Sequence, residues 1–301
     1  MAERFRCSEA SQAKDEPRYG TASTVRRWIL VEEPGPWGRD AVRESRLADG
    51  VGPALKGLAQ AMGARVLLIR RHGRSDPAER TCLVACTTVD TTRVERLTFD
   101  TAADLLDLDW APLVRDEPVG GDLVSRPVYL VCTNGRHDLC CAERGRRVAA
   151  ALAPALGEDL WECSHFGGDR FAGNLVCLPH GVYYGQVEPE RGPGIAAAYA
   201  EGRLDLEHYR GRSCHPFVVQ AADFFVRQQE GMVGLDDLVW GRRVGLDTAG
   251  NAVVPFIDRS GRRLVATVEV RRDPEGQLLS CAARHHSHPP RYRLVRLESI
   301  P

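Results

Sequence analysis

Apolar residues along the chain fall into short runs separated by glycine and proline. Trp28-Ile29-Leu30-Val31-Glu32 reads as a strand stopped by Pro34-Gly35-Pro36. Ala54, Leu55, Leu58, Ala59 and Met62 then recur at helical spacing, and Gly63 closes that helix. Arg65-Val66-Leu67-Leu68-Ile69 and Cys82-Leu83-Val84-Ala85-Cys86 read as further strands, giving the order strand, loop, helix, strand, strand. Asp100 to Gly121, rich in Asp, Leu and Pro, reads as a connector. The first 25 residues are polar and without period, which predicts a flexible segment, with Gly20-Thr21-Ala22 as the entry to the folded part.

The same order then begins again. Val128-Tyr129-Leu130-Val131 is a strand, Cys132 to Leu139 a loop, and Val148 to Leu156 an alanine-rich helix ended by Gly157. Leu160-Trp161-Glu162-Cys163 starts the next strand. Leu175 to Leu178 and Val182 to Tyr184 flank the turn Pro179-His180-Gly181, so they read as a hairpin. The recurrence suggests a divergent internal duplication whose first copy is poor in cysteine. Ile195 to Leu206 and Ala221 to Gln229 read as helices, and Leu264, Ala266, Val268 and Val270 alternate as a half-buried strand does. The fold class expected is α/β with a mixed sheet. Its parts are a flexible segment at 1–25, an N-terminal α/β domain at 26–120, a second α/β domain at 121–230 and a strand-rich extension at 231–301.

Composition narrows the class. With 301 residues, 43% hydrophobic, the chain can bury two ordinary cores, and its formal charge of -1 gives no global attraction to nucleic acid or to an anionic membrane. The N-terminus lacks the apolar stretch of an export signal and no apolar run approaches a membrane span, so a soluble, cytoplasmic protein is expected. In that setting the 10 cysteines read as reduced thiols, some of them ligands, and not as a disulfide framework.

Five of those cysteines lie between Cys132 and Cys177, four of them in two segments that also hold His165 and Asp169, with Cys177 just beyond. Soft thiolate and imidazole donors on two loops suit zinc or an iron-sulfur cluster, whereas calcium or magnesium would ask for oxygen. Cys140 or Cys141 falls at a helix N-terminus, where free amides and the positive dipole end stabilise an anionic thiolate. Cys132 ends a strand facing the same space, and Gly167-Gly168 lets the second loop approach closely. A structural zinc module on Cys132, Cys141, Cys163 and His165 stays open on this reading. A thiol-dependent redox enzyme would want a Cys-x-x-Cys, and the adjacent Cys140-Cys141 is a poor substitute. Cys163-x-His165 lacks the companion Cys-x-x-His of a Rieske centre.

The segments Cys132-Thr-Asn-Gly-Arg-His-Asp-Leu-Cys140-Cys141 and Ser164-His165-Phe-Gly-Gly-Asp169-Arg170-Phe171 resemble the sucrase/ferredoxin-like family. Its pattern runs Cys-Thr-His-Gly-x-x-Asp-x-x-Cys, then Ser-His-x-Gly-Gly-His-Arg-Phe-Ala. Pro34-Gly35-Pro36-Trp37-Gly38, Leu178-Pro179-His180-Gly181 and Gln220-Ala221-Ala222 extend the resemblance over residues 20 to 225. It implies that 121–230 is a thioredoxin-like ferredoxin domain with a [2Fe-2S] cluster, held in some members by two cysteines and a His-x3-His pair. Cys132 and Cys141 match the cysteines and His165 the first histidine, while the second falls on Asp169. A carboxylate is harder than thiolate or imidazole, so the fourth position lies between Cys163 and Asp169, with Cys163 preferred.

The function implied is electron transfer by a redox carrier serving an unknown reductase or acceptor, with Arg136, Arg144, Arg146, Arg147 and Arg170 placed to steer an acidic one. No paired carboxylates support the hydrolysis that the family's name evokes. Cys140, Cys7, Cys82, Cys86, Cys177, Cys214 and Cys281 read as packing residues, and His285, His286 and His288 as a solvated turn.

Overall fold

The structure, a computed structural model, describes residues 4–73 and 80–300. Its larger sheet takes ten strands: β1 (Arg27–Glu32), β2 (Ala64–Arg70), β3 (Arg80–Thr87), β4 (Thr92–Phe99), β5 (Asp122–Leu123), β6 (Val128–Cys132), β7 (Leu160–Cys163), β8 (Leu175–Leu178), β9 (Val182–Tyr184) and β10 (Tyr209–Arg212). They run β10-β9-β8-β6-β7-β2-β1-β3-β4-β5 across the sheet. A smaller antiparallel sheet holds β11 (Leu238–Trp240), β12 (Gly245–Leu246), β13 (Ala252–Asp258), β14 (Arg263–Arg272) and β15 (Pro290–Ile300). The helices are α1 (Cys7–Ala13), α2 (Val51–Ala61), α3 (Ala111–Val114), α4 (Leu139–Leu156), α5 (Gly192–Ala200) and α6 (Phe217–Glu230).

The fold is mixed α/β. In the second half, β6 and β7 are parallel, β8 is antiparallel to β6, and β9 is antiparallel to β8, which is thioredoxin-like order and sense. The first half shares that order, with β1 and β2 parallel, β3 antiparallel to β1 and β4 antiparallel to β3. The halves join in one sheet because β2 and β7 pair antiparallel through Ile69↔Cys163 and Arg70↔Glu162. The parts 26–120 and 121–230 therefore share a sheet and a core.

Period-two alternation explains the layering. Trp28 and Leu30 join Leu67, Leu130, Trp161 and Tyr183 in a cluster spanning both halves on one face, whereas Ile29 and Val31 pack with Leu55 and Ala59 of α2 on the other. Tyr129 and Val131 likewise meet Val148 and Leu152 of α4. Strands covered on both faces read as continuous apolar runs, which is why the central ones stand out in the sequence. The strand β4 does not, because Arg93 and Glu95 pair with each other at 3.0 Å within it. Val219, Ala222 and Val226 of α6 cover Val254, Phe256 and Leu264 of the smaller sheet.

The segment expected to be flexible contains α1, whose Cys7, Ser8 and Ser11 are buried. Its anchor is Glu16, which accepts from Ser11 Oγ at 2.8 Å and from Arg170 Nε at 2.9 Å. Residues 1–3 of that segment lie outside the described residues. Among the described residues no helix is long and apolar enough to cross a membrane.

Helix α4 rests directly on the end of β6 at Gly145, where an added Cβ would overlap the carbonyl oxygen of Cys132. Gly57 in α2 has open space instead. Gly145→Ala is expected to cost about 1–3 kcal/mol through overpacking, and Gly57→Ala to gain about 0.5–1 kcal/mol from helix propensity. Urea unfolding midpoints check both; shifts of the same sign would contradict the close approach of α4 to β6.

Candidate metal centre

The parallel pairing of β6 and β7 sets Cys132 level with Cys163, so the loops that follow the two strands leave the sheet at one edge. In the first loop Asn134 Oδ1 accepts from the backbone N–H groups of Arg136 at 3.2 Å and His137 at 3.4 Å, a turn that lifts His137 over the edge. Asp138 then caps α4, its Oδ1 accepting from Cys140 N at 2.9 Å. This cap starts the helix at Leu139, nine residues before the apolar period becomes visible at Val148, and it places Cys140 and Cys141 in the first turn.

The second loop turns on Gly167 and Gly168, at φ 107° and 87°. A Cβ at Gly168 would overlap the guanidinium of Arg210, which is buried and organises the loop. Arg210 Nη1 donates to Asn174 Oδ1 at 2.8 Å and to Gly167 O at 3.2 Å, and Nη2 donates to Thr21 O at 2.6 Å. Asn174 Nδ2 returns a bond to Gly168 O at 2.8 Å. Burial lowers the Arg210 pKa to about 10, which leaves it a cation at neutral pH.

These loops bring Cys132, Cys141 and His165 together with ligand atoms within 4.8 Å of one another. His165 also belongs to a second set at the same spacing, with His137 and Asp169. The His137 and His165 rings stack at 3.6 Å and 14°. Asp169 Oδ1 lies 2.9 Å from His165 Nδ1 and 3.5 Å from Cys141 Sγ, and its Oδ2 lies 3.7 Å from His137 Nε2. Cys163 is level with Cys132, yet its side chain is fully buried in the core beside Trp161 and belongs to neither set. Asp169 makes no pair with Arg170, which turns away to Glu16.

The side chains of the site shift one another's ionisation. The Cys141 thiol, followed by His165, holds Cys132 down to about 5 against the effect of its own burial. Cys141 moves the other way, raised by the Cys132 sulfur and by burial, so the pair carries one readily ionised thiol. Burial would lower His165, but Asp169 and Cys132 carry it up to about 9. Burial would likewise raise Asp169, and His165 beside it holds the carboxyl below its usual range. His165 Nδ1 is buried and, though close to Asp169, too far out of line to hydrogen-bond. Cys132, Cys141 and His165 form a soft donor set, with His137 stacked on His165 beside it, and such donors suit zinc or iron-sulfur chemistry and not a hard cation.

Sequence reading missed His137, which neither lies in a ligand spacing nor matches a family position. The cysteines at 7, 140 and 281, expected as packing residues, form a further group around Asp138. Cys82, Cys86, Cys177 and Cys214 are buried, while His285 and His286 are exposed.

Comparison with known proteins gives a match to a family described as Sucrase/ferredoxin-like over residues 18–211. The altered inheritance of mitochondria protein 32 of Debaryomyces hansenii is 28% identical over 108 residues, 32% of this chain and 38% of that protein. The chain thus spans well under half the length of that curated relative. A thioredoxin-like [2Fe-2S] ferredoxin from Aquifex aeolicus aligns at 20% identity over 31% of this chain and 97% of its own, with a TM-score of 0.27. A cysteine-to-serine variant of a thioredoxin-like [2Fe-2S] ferredoxin from Aquifex aeolicus aligns at 22% identity over 28% and 95%, with a TM-score of 0.24.

Arg210 holds the second loop through acceptors that have no substitute donor. Arg210→Met is expected to destabilise the fold by about 3 kcal/mol or more, since it strands several buried acceptors. Arg210→Lys should recover only part of the loss, because an ammonium cannot reproduce the planar fork. An unchanged urea midpoint for Arg210→Met would contradict the role given to it.

Proposed function

The chain belongs to the sucrase/ferredoxin-like family, and from that premise we propose that it is a one-electron carrier with a [2Fe-2S] cluster on Cys132, Cys141, His165 and His137. The observation that carries the reading is the gathering of two buried thiols and His165, whose Nδ1 lacks an aligned partner, at the sheet edge and the start of α4. Ligand softness favours His137 over Asp169 as the fourth donor. Imidazole is the softer ligand, and His137 Nδ1 lies 3.3 Å from Arg39 O, the kind of backbone support that fixes a ligating ring and turns its Nε2 toward the site. Asp169 lies against His165 Nδ1 and His137 Nε2 and is placed to balance charge. Cys163 serves the core.

A bound [2Fe-2S] cluster supplies reversible one-electron transfer at a potential tuned by ligand type, charge and exposure. The chain's residues set those terms. Neutral imidazoles in place of two thiolates reduce the negative charge on the centre, and the N-terminal amides of α4 stabilise what remains. Cys132 and Cys141 are no more than 2% exposed, whereas the His165 and His137 side chains are 24% and 28% exposed. The imidazoles are therefore where the centre meets solvent and where electrons would enter or leave. Beside His137 opens a cleft of about 700 Å³ lined by Arg4, Arg39, Arg136 and Arg146, a surface that suits an acidic redox partner.

Protein purified without oxygen is expected to carry two irons and two sulfides per chain, and to give an electron paramagnetic resonance signal of one unpaired spin after reduction. Alanine at Cys132, Cys141 or His165 should remove the cluster, while Cys163→Ala should keep it. A colourless protein holding stoichiometric zinc and no iron would overturn the proposal in favour of a structural zinc module.

A further inference from the structure

Three cysteines outside the proposed cluster meet on the other side of the Asp138 cap. Cys7 opens α1, Cys140 lies in the first turn of α4, and Cys281 sits in the loop between β14 and β15. Cys281 Sγ is 3.3 Å from Cys140 Sγ and 3.6 Å from Cys7 Sγ. Both carboxylate oxygens of Asp138 are 3.7 Å from Cys7 Sγ. One donor atom from each of the four residues fits within 4.8 Å of all the others. Cys7 and Cys140 are 1% exposed and Cys281 is half-buried.

The spacing separates two readings. A tetrahedral zinc with Zn–S bonds of about 2.3 Å holds its sulfurs roughly 3.8 Å apart, within a few tenths of an ångström of the contacts seen. A disulfide needs sulfurs at about 2.05 Å and would leave the third thiol, with its carboxylate, unused. Nor is the arrangement a by-product of the cluster site. Successive helical residues point about 100° apart, so Cys140 turns away from Cys132 while Cys141 turns toward it.

We propose that Cys7, Cys140, Cys281 and Asp138 form a second, closed site for a soft divalent metal ion such as zinc. Binding would release the thiol protons and join three segments distant in sequence. Those segments are already drawn together: Cys281 N donates to Asp138 Oδ2 at 2.6 Å, and Gln277 Nε2 donates to Glu16 Oε1 at 2.6 Å. Arg170, one residue after Asp169, holds the same Glu16 at 2.9 Å. The ion would therefore clamp α1 and the β14–β15 loop over the edge of the sheet that carries the proposed cluster. As the apo site holds no such crosslink, binding would appear as folding stability.

The test uses the full chain as the Cys132→Ala/Cys141→Ala variant, which lacks the proposed cluster ligands and keeps this group. Zinc added to the metal-free protein should remain at one equivalent after desalting and raise the melting temperature. Cys281→Ser in that background should weaken zinc binding by at least about a hundredfold, the upper end of what losing even a supporting group costs, and abolish the thermal shift. Circular dichroism matching the parent identifies a folded variant, and Cys7→Ser provides a second one. No retained zinc in the parent, or retention indifferent to both serine variants, would overturn the site. So would a Cys140–Cys281 disulfide recovered by peptide mass spectrometry from anaerobically purified protein. Iron and sulfide in the wild-type chain are measured separately, so failure of either site is distinguishable from failure of the other.

Discussion

The start of helix α4 is the constraint on which the thiol chemistry depends. Asp138 fixes it by accepting from Cys140 N at 2.9 Å, and Gly145, about two turns later, lets the helix rest on the Cys132 carbonyl. With the helix so placed, adjacent cysteines diverge, Cys141 toward Cys132 and His165, Cys140 toward Cys7 and Cys281. The positive end of the helix dipole lies under both groups. One capping carboxylate thus orders two sets of soft donors, and its second oxygen draws in the β14–β15 loop through Cys281 N.

The opposite wall depends on buried charge. Arg210 lies inside the protein and spends its donors on backbone carbonyls and Asn174, and so fixes a loop that has two glycines in the left-handed region. A cation buried among carbonyls is costly unless every donor finds a partner, and here those partners define the loop. Asp169, emerging from that loop, meets two imidazoles and a thiol. The site therefore joins one loop set by a helix cap to another set by a buried guanidinium.

Much of the fold was legible because its strands are apolar and its turns are marked. The pair Leu175–Leu178 and Val182–Tyr184 flanks Pro179-His180-Gly181, and Gly63 follows the helix that Leu55 and Ala59 announce. What stayed hidden lacks an apolar period. The strand β4 carries an internal Arg93–Glu95 pair, α1 is polar and held by Glu16, and the arginine-rich first half of α4 depends on a cap. The union of both halves in one sheet rests on two residue pairs, Ile69↔Cys163 and Arg70↔Glu162, which no local pattern announces. At the site, Cys132, Cys141 and His165 stand out by residue type and by the family pattern. His137 does not, since only the turn at Asn134 carries its ring onto His165. Strand alternation puts Cys163 on the same face as Trp161 and Cys132, and it nevertheless stands outside both ligand groups. Cys7 and Cys281 lie too far away in sequence for any spacing argument.

The proposed cluster requires imidazole nitrogen bound directly to an iron beside two cysteine sulfurs. Pulsed electron paramagnetic resonance of the reduced protein, prepared with nitrogen-15 histidine, reads that bond without reference to any partner. Strong hyperfine coupling to two histidine nitrogens is expected, reduced to one in His137→Cys. A reduced cluster with no coupling to histidine nitrogen would contradict it.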